Sequence, residues 1–371
     1  MASDPKPTLV VFLGGLGDSP VERLVGGARW AATRDSVDAA LGCGAYERAV
    51  LVGDAEGVIP ESPGLTIDAD AGEFHFGRRL AGVIRRHSLS RIVYIGGGSV
   101  PLFAAQDFAL LAETVAAGRS LTNNRYSSDI IGWTVDEDRL RLIQQAERDN
   151  SLAPLFAEEG GLDIEELPRS AESLFDIDTP NDLAVLKLAG AGGPHLREYA
   201  ASAEVDTAAY EQTMPLFLGR EHQIIVAGRV GNHTWRYLET ETACRVRLFA
   251  EERGMEADGR AEAGTVRSLL GYYLESAGTE RFFQSLAELG DAAFIDTRVL
   301  AAHAGARPSR QDRFLSDLGR AEQISDPFLQ DLTMAAARAP IPVLLGGHSL
   351  MSGALMLLNE TAWRLRDEGR L

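Results

Sequence analysis

The chain has 371 residues, 45% of them hydrophobic, with a formal net charge of −18 and an isoelectric point near 4.9. This acidic balance argues against nucleic acid as a partner, because binding to a phosphate backbone depends on clustered basic side chains. The length allows two hydrophobic cores, since most domains contain ~100–200 residues.

The cysteine content and the apolar pattern indicate which cellular compartment to expect. Cys43 and Cys244 are far apart and have no Cys or His at metal-binding spacing, so neither a disulfide framework nor a zinc site is predicted. The N-terminus lacks a basic segment followed by an apolar run, and no later stretch reaches ~18 uninterrupted apolar residues. We therefore expect a cytoplasmic protein with no targeting signal and no membrane partner; a second copy of the chain is the candidate protein partner.

The first predicted element is a strand over residues 8–13, a nearly continuous apolar run that is typical of a strand buried on both faces of a parallel sheet. Gly14, Gly15 and Gly17 follow at once. Glycines in this place let the backbone turn tightly and present N–H groups to a phosphate or base, although tight turns use the same residues.

Strands and helices then alternate through the first half of the chain. Further strands are predicted over residues 49–52, 65–67 and 91–95, and helices over 30–41, 76–87 and 108–117. Short glycine-rich turns join them, including Gly96-Gly97-Gly98-Ser99. This alternation predicts an α/β domain built on a doubly wound, mostly parallel sheet.

The segment 174–183 places two acidic side chains before a helix start. Asp176 and Asp178 lie two residues apart, so on an extended backbone both carboxylates point to one side. Thr179 as N-cap and Pro180 as first helical residue predict a helix directly after them. At the end of a strand the pair would suit a hard cation such as Mg²⁺ with a nucleotide's phosphates; alternatively, one aspartate caps the helix and the other is solvated.

The glycine-rich stretch 188–194 is the predicted domain boundary, which divides the chain into residues 1–190 and 196–371. The second domain is predicted to be mainly helical. Its helical patterns cover 205–213, 234–242, 266–289 and 327–337, and short strands are predicted at 223–227 and 293–296.

Three segments of the first half together resemble the MobA-like NTP transferases. They are the Val-Val-Phe-Leu-Gly-Gly opening, the Gly-Gly-x-x-x-Pro-Leu segment after the strand at 91–95, and Phe-Asp-Ile-Asp-Thr-Pro-Asn-Asp-Leu near the boundary. That family comprises molybdenum-cofactor and sugar-phosphate nucleotidyltransferases on the GT-A, or nucleotide-diphospho-sugar transferase, fold. The resemblance covers roughly residues 8–190 and leaves the second half unassigned.

The resemblance implies a reaction and a set of site residues. A phosphorylated small molecule would attack the α-phosphorus of an NTP, and pyrophosphate would leave, with positive charge neutralising the in-line oxygens. Asp176 and Asp178 would be the late ligands of Mg²⁺ or Mn²⁺. The residues implied to hold the nucleotide are Gly14, Gly15, Gly17, Gly97, Gly98 and Ser99.

The first departure from the family pattern concerns a cationic side chain. In the family an arginine and then a lysine follow the glycine loop, but this chain has no lysine between Lys6 and Lys187. Arg23, Arg29 or Arg34 would have to replace it, and a planar guanidinium is not geometrically equivalent to a point ammonium. Arg23 and Arg29 are therefore the candidate catalytic residues.

The second departure lies after the strand at 91–95. Gly98 and Ser99 stand where the family has a metal-binding aspartate. A neutral serine is a poor ligand for a hard cation, so Asp54 and Asp129 are the carboxylates that could compensate.

Two classes of function remain open at this point. The first is an active, divergent nucleotidyltransferase or a nucleotide-sugar glycosyltransferase. The second is a catalytically degenerate nucleotide-binding domain that regulates or scaffolds the second half. A variant of the second class places catalysis in that half, around Arg229, Glu251, Glu252, Arg253 and His348.

Overall fold

A computed structural model describes residues 5–53, 62–69 and 72–371, which form two compact units. The first unit comprises the described residues up to Leu16, those within Gly26–Leu174, and Gly192–Tyr199. The second comprises Gly17–Val25, Phe175–Ala191 and Ala200–Leu371. The predicted boundary between residues 190 and 196 stays a prediction.

The first unit is built on a mixed sheet with the order β3-β2-β1-β4-β6-β5-β7, in which β6 is the one antiparallel strand among those described. Because β2 and β3 lie on one side of β1 and β4 lies on the other, the topological switch point is between β1 and β4. The strands are β1 (Thr8–Phe12), β2 (Arg48–Val52), β3 (Leu65–Asp68), β4 (Arg91–Gly96), β5 (Ser120–Thr122), β6 (Ile130–Thr134) and β7 (Ile164–Glu166).

Apolar cores cover both faces of this sheet, as the continuous apolar run of β1 predicts. Val10 and Phe12 belong to one core, and Leu9 and Val11 belong to the other. The helices are α1 (Pro20–Gly42), which carries residues of both units, α2 (Phe76–Arg86), α3 (Ala105–Ala116), α4 (Glu137–Ile143), α5 (Leu152–Glu158) and α6 (Ala171–Leu174).

The second unit contains a parallel four-stranded sheet with the order β11-β10-β8-β9. Its strands are β8 (Gln223–Gly228), β9 (Arg245–Ala250), β10 (Ala292–Asp296) and β11 (Val343–Gly346). The chain passes from β8 to β9 on one side and then returns to β10 on the other, so a second switch point lies between β8 and β10.

Many helices accompany this smaller sheet, and the predicted fold class is confirmed: an α/β unit with a mostly parallel sheet and a second part rich in helices. These helices are α7 (Pro180–Ala189), α8 (Pro194–Ser202, shared by the two units), α9 (Ala208–Thr213), α10 (Asn232–Glu241), α11 (Leu269–Ala277), α12 (Thr279–Leu289), α13 (Thr297–His303), α14 (Arg310–Asp317), α15 (Pro327–Ala337) and α16 (Gly353–Asp367). None of the helices in the described ranges has both the length and the apolar character required to cross a bilayer.

The structure corrects two expectations about local structure. Helix α1 begins at Pro20 and not near residue 30. The acidic segment before α7 contains no regular strand: Asp176 forms an isolated β-bridge, and burial alternates between the buried Phe175 and Ile177 and the more accessible aspartates.

Candidate functional site

The end of β1 forms an open glycine loop at the first switch point. The Leu13 N–H donates to the Val52 carbonyl oxygen over 2.9 Å, which fixes the last residue before the loop. Gly14 and Gly15 are exposed, and a Cβ added at either would meet no atom of the described protein within 4 Å. The loop therefore leaves space in which a ligand can approach the backbone closely.

The loop after β4 packs directly against the end of β1. The Gly97 N–H donates to the Phe12 carbonyl oxygen over 2.7 Å. A Cβ on Gly97 would lie 2.4 Å from Leu13 Cδ1, and Gly98 has a φ of +93°. These two predicted nucleotide-binding glycines are thus required by packing and backbone geometry, and the neighbouring Ser99 is buried.

Only one of the two candidate catalytic arginines belongs to the first unit. Arg29 of α1 donates from Nε to the Gly97 carbonyl oxygen over 2.8 Å, which holds its guanidinium beside the β4 loop. Arg23 belongs to the second unit, where it donates to the Asp18 carbonyl oxygen. Gly17 also lies in that unit, where its φ of +135° favours glycine and an added Cβ would lie 2.6 Å from the Glu22 carboxylate, so its role there is structural.

Two aspartates reach the carboxyl end of β4 from other elements. Because β6 runs antiparallel to β4, Asp129, which precedes β6, lies beside Gly96 and accepts its N–H at the backbone oxygen over 3.0 Å. The Tyr94 hydroxyl donates to Asp149 Oδ2 over 3.2 Å. Burial is the main cause that raises the pKa of Tyr94, and the negative charge of Asp149 raises it further.

The sequence predicts Asp129 only as a compensating carboxylate and gives no indication of Asp149. Asp149 lies in a short turn before α5 and carries no local signal of function. Asp54, the other carboxylate considered, lies outside the described residues.

The predicted metal ligands Asp176 and Asp178 both belong to the second unit. Asp178 is exposed, whereas Asp176 is half-buried. Within the described ranges, no group of three or more His, Cys, Asp or Glu side chains is arranged to hold a metal ion. Their role as metal ligands stays a prediction.

Asp182, four residues after Asp178, is the buried anchor of the α7 start. Its Oδ2 accepts hydrogen bonds from the Thr179 N–H over 2.7 Å and from the Asp178 N–H over 3.0 Å. The Ser349 hydroxyl donates to the same oxygen over 3.0 Å. The predicted helix start at Thr179 and Pro180 is confirmed, with Asp182 completing a capping box.

This carboxyl group gives a pH-dependent prediction. Burial first, and then the Asp178 carboxylate, raises the pKa of Asp182 to about 7. Protonation therefore favours the folded state, and the stabilising contribution, complete below about pH 4, is lost as the pH rises through the folded-state pKa. We expect Asp182→Asn to flatten the fall in the free energy of unfolding between about pH 5 and about pH 8, measured by urea denaturation. Equal pH slopes in the variant and the parent would contradict this.

A buried ion pair lies at the second switch point. Arg229, just after β8, donates from Nε and Nη2 to the two carboxylate oxygens of Asp296 over 2.6 and 3.2 Å. The Asp296 side chain is 0% exposed and also accepts the Arg298 N–H, which caps α13. Burial alone would raise the pKa of Asp296, but the Arg229 guanidinium lowers it below its ordinary value.

His348, in the turn after β11, is anchored to the same loop. Its Nδ1 lies 3.0 Å from the Arg229 carbonyl oxygen, so Nδ1–H is the donor and Nε2 carries the free electron pair. His348 as a whole residue is exposed. The surrounding protein and then the Arg229 guanidinium lower the pKa of His348, opposed in part by the carboxylates of Asp296 and Asp178.

The structure thus brings together two members of the alternative site that the sequence proposed in the second half, Arg229 and His348. Of the others, Glu251 accepts the Leu269 N–H at the start of α11, Glu252 pairs with Arg260, and Arg253 accepts a hydrogen bond from Arg260 at its carbonyl oxygen.

The second unit holds another buried pair near this edge. Arg298 donates from Nη1 and Nη2 to the two carboxylate oxygens of Asp317 over 2.5 and 2.6 Å. Asp317 is 0% and Arg298 11% exposed at the side chain, so each charge depends on the other for compensation.

No protein-family model matches the chain, and no curated protein matches its sequence. Among solved structures, the chain is similar to Rv0371c from Mycobacterium tuberculosis H37Rv, with a TM-score of 0.35 and 16% identity over 48% of this chain and 95% of that one. The manganese complex of Rv0371c gives a TM-score of 0.32 and 17% identity over the same shares. A cytidylyltransferase from Leptospira borgpetersenii serovar Hardjo-bovis gives 0.35 and 15% over 49% of this chain and 86% of that one.

Proposed function

We propose that the first unit binds a nucleoside triphosphate at the switch point between β1 and β4, and that it transfers the nucleotidyl group to a phosphorylated small molecule. The observation that carries this proposal is the open backbone of Gly14 and Gly15 at that edge. In open α/β sheets, ligands bind outside the carboxyl ends of the strands where the strand order reverses. The sequence resemblance supports the same class of reaction.

The residues at this edge suit the charges of that reaction. The Arg29 guanidinium lies beside the loop and can stabilise negative charge that develops as the bond between the α-phosphorus and pyrophosphate breaks. Asp129 and Asp149 lie at the end of β4, where one or two carboxylates are sufficient for a Mg²⁺ that also binds nucleotide phosphates. The cation would supply neutralisation of phosphate charge.

A double variant, Gly14→Ala/Gly15→Ala, tests ligand binding separately from folding. Neither added methyl meets described protein, so we expect an unchanged melting temperature. If a nucleotide occupies the space, each methyl intrudes on it, and binding of NTP with Mg²⁺ should weaken at least about fivefold, because overpacking costs ~1–3 kcal/mol. Isothermal titration of the four NTPs measures this. Gly42→Ala, which also adds a methyl in open space, is the matched control.

Pyrophosphate release with phosphosugar acceptors tests transfer and locates the metal ligands. We expect Asp129→Asn and Asp149→Asn to reduce the rate at least about tenfold, because a hard cation loses a charged ligand. Asp176→Asn and Asp178→Asn test the separate proposal that the acidic pair of the second unit binds a metal ion of its own. A full rate in all four variants would remove both metal assignments.

NTP binding without any pyrophosphate release would favour the second candidate, a nucleotide-binding unit without transfer chemistry. The buried Ser99, in place of the carboxylate that the resemblance implies, is the observation in its favour.

A further inference from the structure

The second sheet has a switch point of its own, which the proposed nucleotide site does not use. β9 lies on one side of β8 and β10 on the other, so the loops after β8 and β10 diverge at the carboxyl edge of the sheet. Arg229 follows β8, Asp296 ends β10 and His348 follows the adjacent β11. Side chains able to bind or polarise a ligand therefore converge where this topology places ligands.

The ion pair at this edge orients a guanidinium. Asp296 engages Nε and Nη2 of Arg229, which leaves the Nη1 edge facing away from the carboxylate. The Arg229 side chain retains 15% exposure, whereas the Asp296 side chain has none. Because Asp296 holds one edge of the planar guanidinium group, the remaining N–H groups of Arg229 are preorganised to bind an oxyanion such as phosphate.

The His348 imidazole beside Arg229 supplies a hydrogen-bond acceptor. Donation from Nδ1 to the Arg229 carbonyl oxygen fixes the tautomer, so Nε2 is an acceptor. The carboxylate of Asp178, exposed and electrostatically coupled to His348, is a second acceptor. Acceptors of this kind bind the hydroxyl groups of a ligand.

We propose that the carboxyl edge of β8, β10 and β11 binds a phosphomonoester of a small polyhydroxylated molecule. Its phosphate is bound by the free edge of Arg229, and one of its hydroxyls donates to His348 Nε2. This site lies within the second unit and does not depend on the proposed nucleotide site of the first unit.

Calorimetric titration of the full chain with glucose 1-phosphate, inorganic phosphate and glucose tests the site. We expect glucose 1-phosphate to bind most tightly of the three. His348→Ala, at an exposed residue, should weaken its binding about tenfold through the loss of one acceptor. Arg229→Lys keeps a positive charge against Asp296, so the chain should fold, but it removes the planar fork and should weaken binding by a similar factor.

Matched variants separate this site from the rest of the protein. His222→Ala removes a half-buried imidazole at the opposite end of β8 and should leave the affinity unchanged. The double variant Gly14→Ala/Gly15→Ala should also retain sugar-phosphate binding while losing nucleotide. The proposal is overturned if glucose 1-phosphate does not bind, if His348→Ala and Arg229→Lys bind it as the parent does, or if only the glycine variant loses it.

Discussion

Replacing Arg298 by methionine is expected to lower the free energy of unfolding by about 3–5 kcal/mol, the usual cost of leaving a buried charge without its partner. Asp317 has 0% side-chain exposure and receives two hydrogen bonds from this one guanidinium. Methionine fills much of the volume of arginine, so the loss comes mainly from the uncompensated carboxylate. Urea denaturation at neutral pH, monitored by circular dichroism, measures the change.

Two controls distinguish loss of charge from loss of packing. The double variant Arg298→Met/Asp317→Leu removes both charges and should recover most of the stability, because apolar replacements of a buried pair are often neutral. Arg119→Met breaks an exposed pair with Glu165, whose side chains are 54% and 50% exposed, and should cost at most about 1 kcal/mol. If the double variant is as unstable as Arg298→Met, the buried pair is not the origin of the effect.

Gly97→Ala is expected to impair both the fold of the first unit and nucleotide binding. The added methyl would lie 2.4 Å from Leu13 Cδ1 and 2.9 Å from the Phe12 carbonyl oxygen. It would force β1 and the β4 loop apart at a cost of about 1–3 kcal/mol in the free energy of unfolding. Because Gly14 directly follows Leu13, NTP binding should weaken further than in the Gly14 and Gly15 variant.

The measurements for this variant are urea denaturation and NTP titration under the same conditions. Gly26→Ala is the control, because its methyl meets no described atom and alanine is favoured within a helix. If Gly97→Ala unfolds with the same free energy as the parent protein, the loops after β1 and β4 can separate freely, and the close packing of Gly97 against Leu13 and Phe12 does not constrain the fold.

Local patterns predicted most strands of the first unit. β1, β2 and β4 are short apolar runs bounded by turn residues, because each is buried on both faces of the sheet. The start of α7 was also predictable from local sequence. Thr179, Pro180 and Asp182 form the N-terminal cap of the helix, and all three lie within four residues.

Local patterns did not predict every element, and for two of the misses the physical reason is clear. The first turns of α1 contain Gly26 and Gly27, which disfavour helix, but Gly27 leaves room for the Tyr199 side chain, because an added Cβ would lie 2.3 Å from its hydroxyl oxygen. β9 is a half-exposed edge strand, so its alternating arginines resembled a charged surface segment.

The amino-acid sequence by itself determined the α/β class, the open glycine loop after the first strand and the capped helix after the acidic pair, because each depends on residues close together in the chain. Only the tertiary structure decided which side chains share a site. Asp129 reaches β4 through an antiparallel strand, and Arg229 meets Asp296 across 67 residues and His348 across 119. The order of the strands in each sheet determines which of these residues come into contact. That order depends on the burial of whole sheet faces, and residues close together in the chain do not specify it.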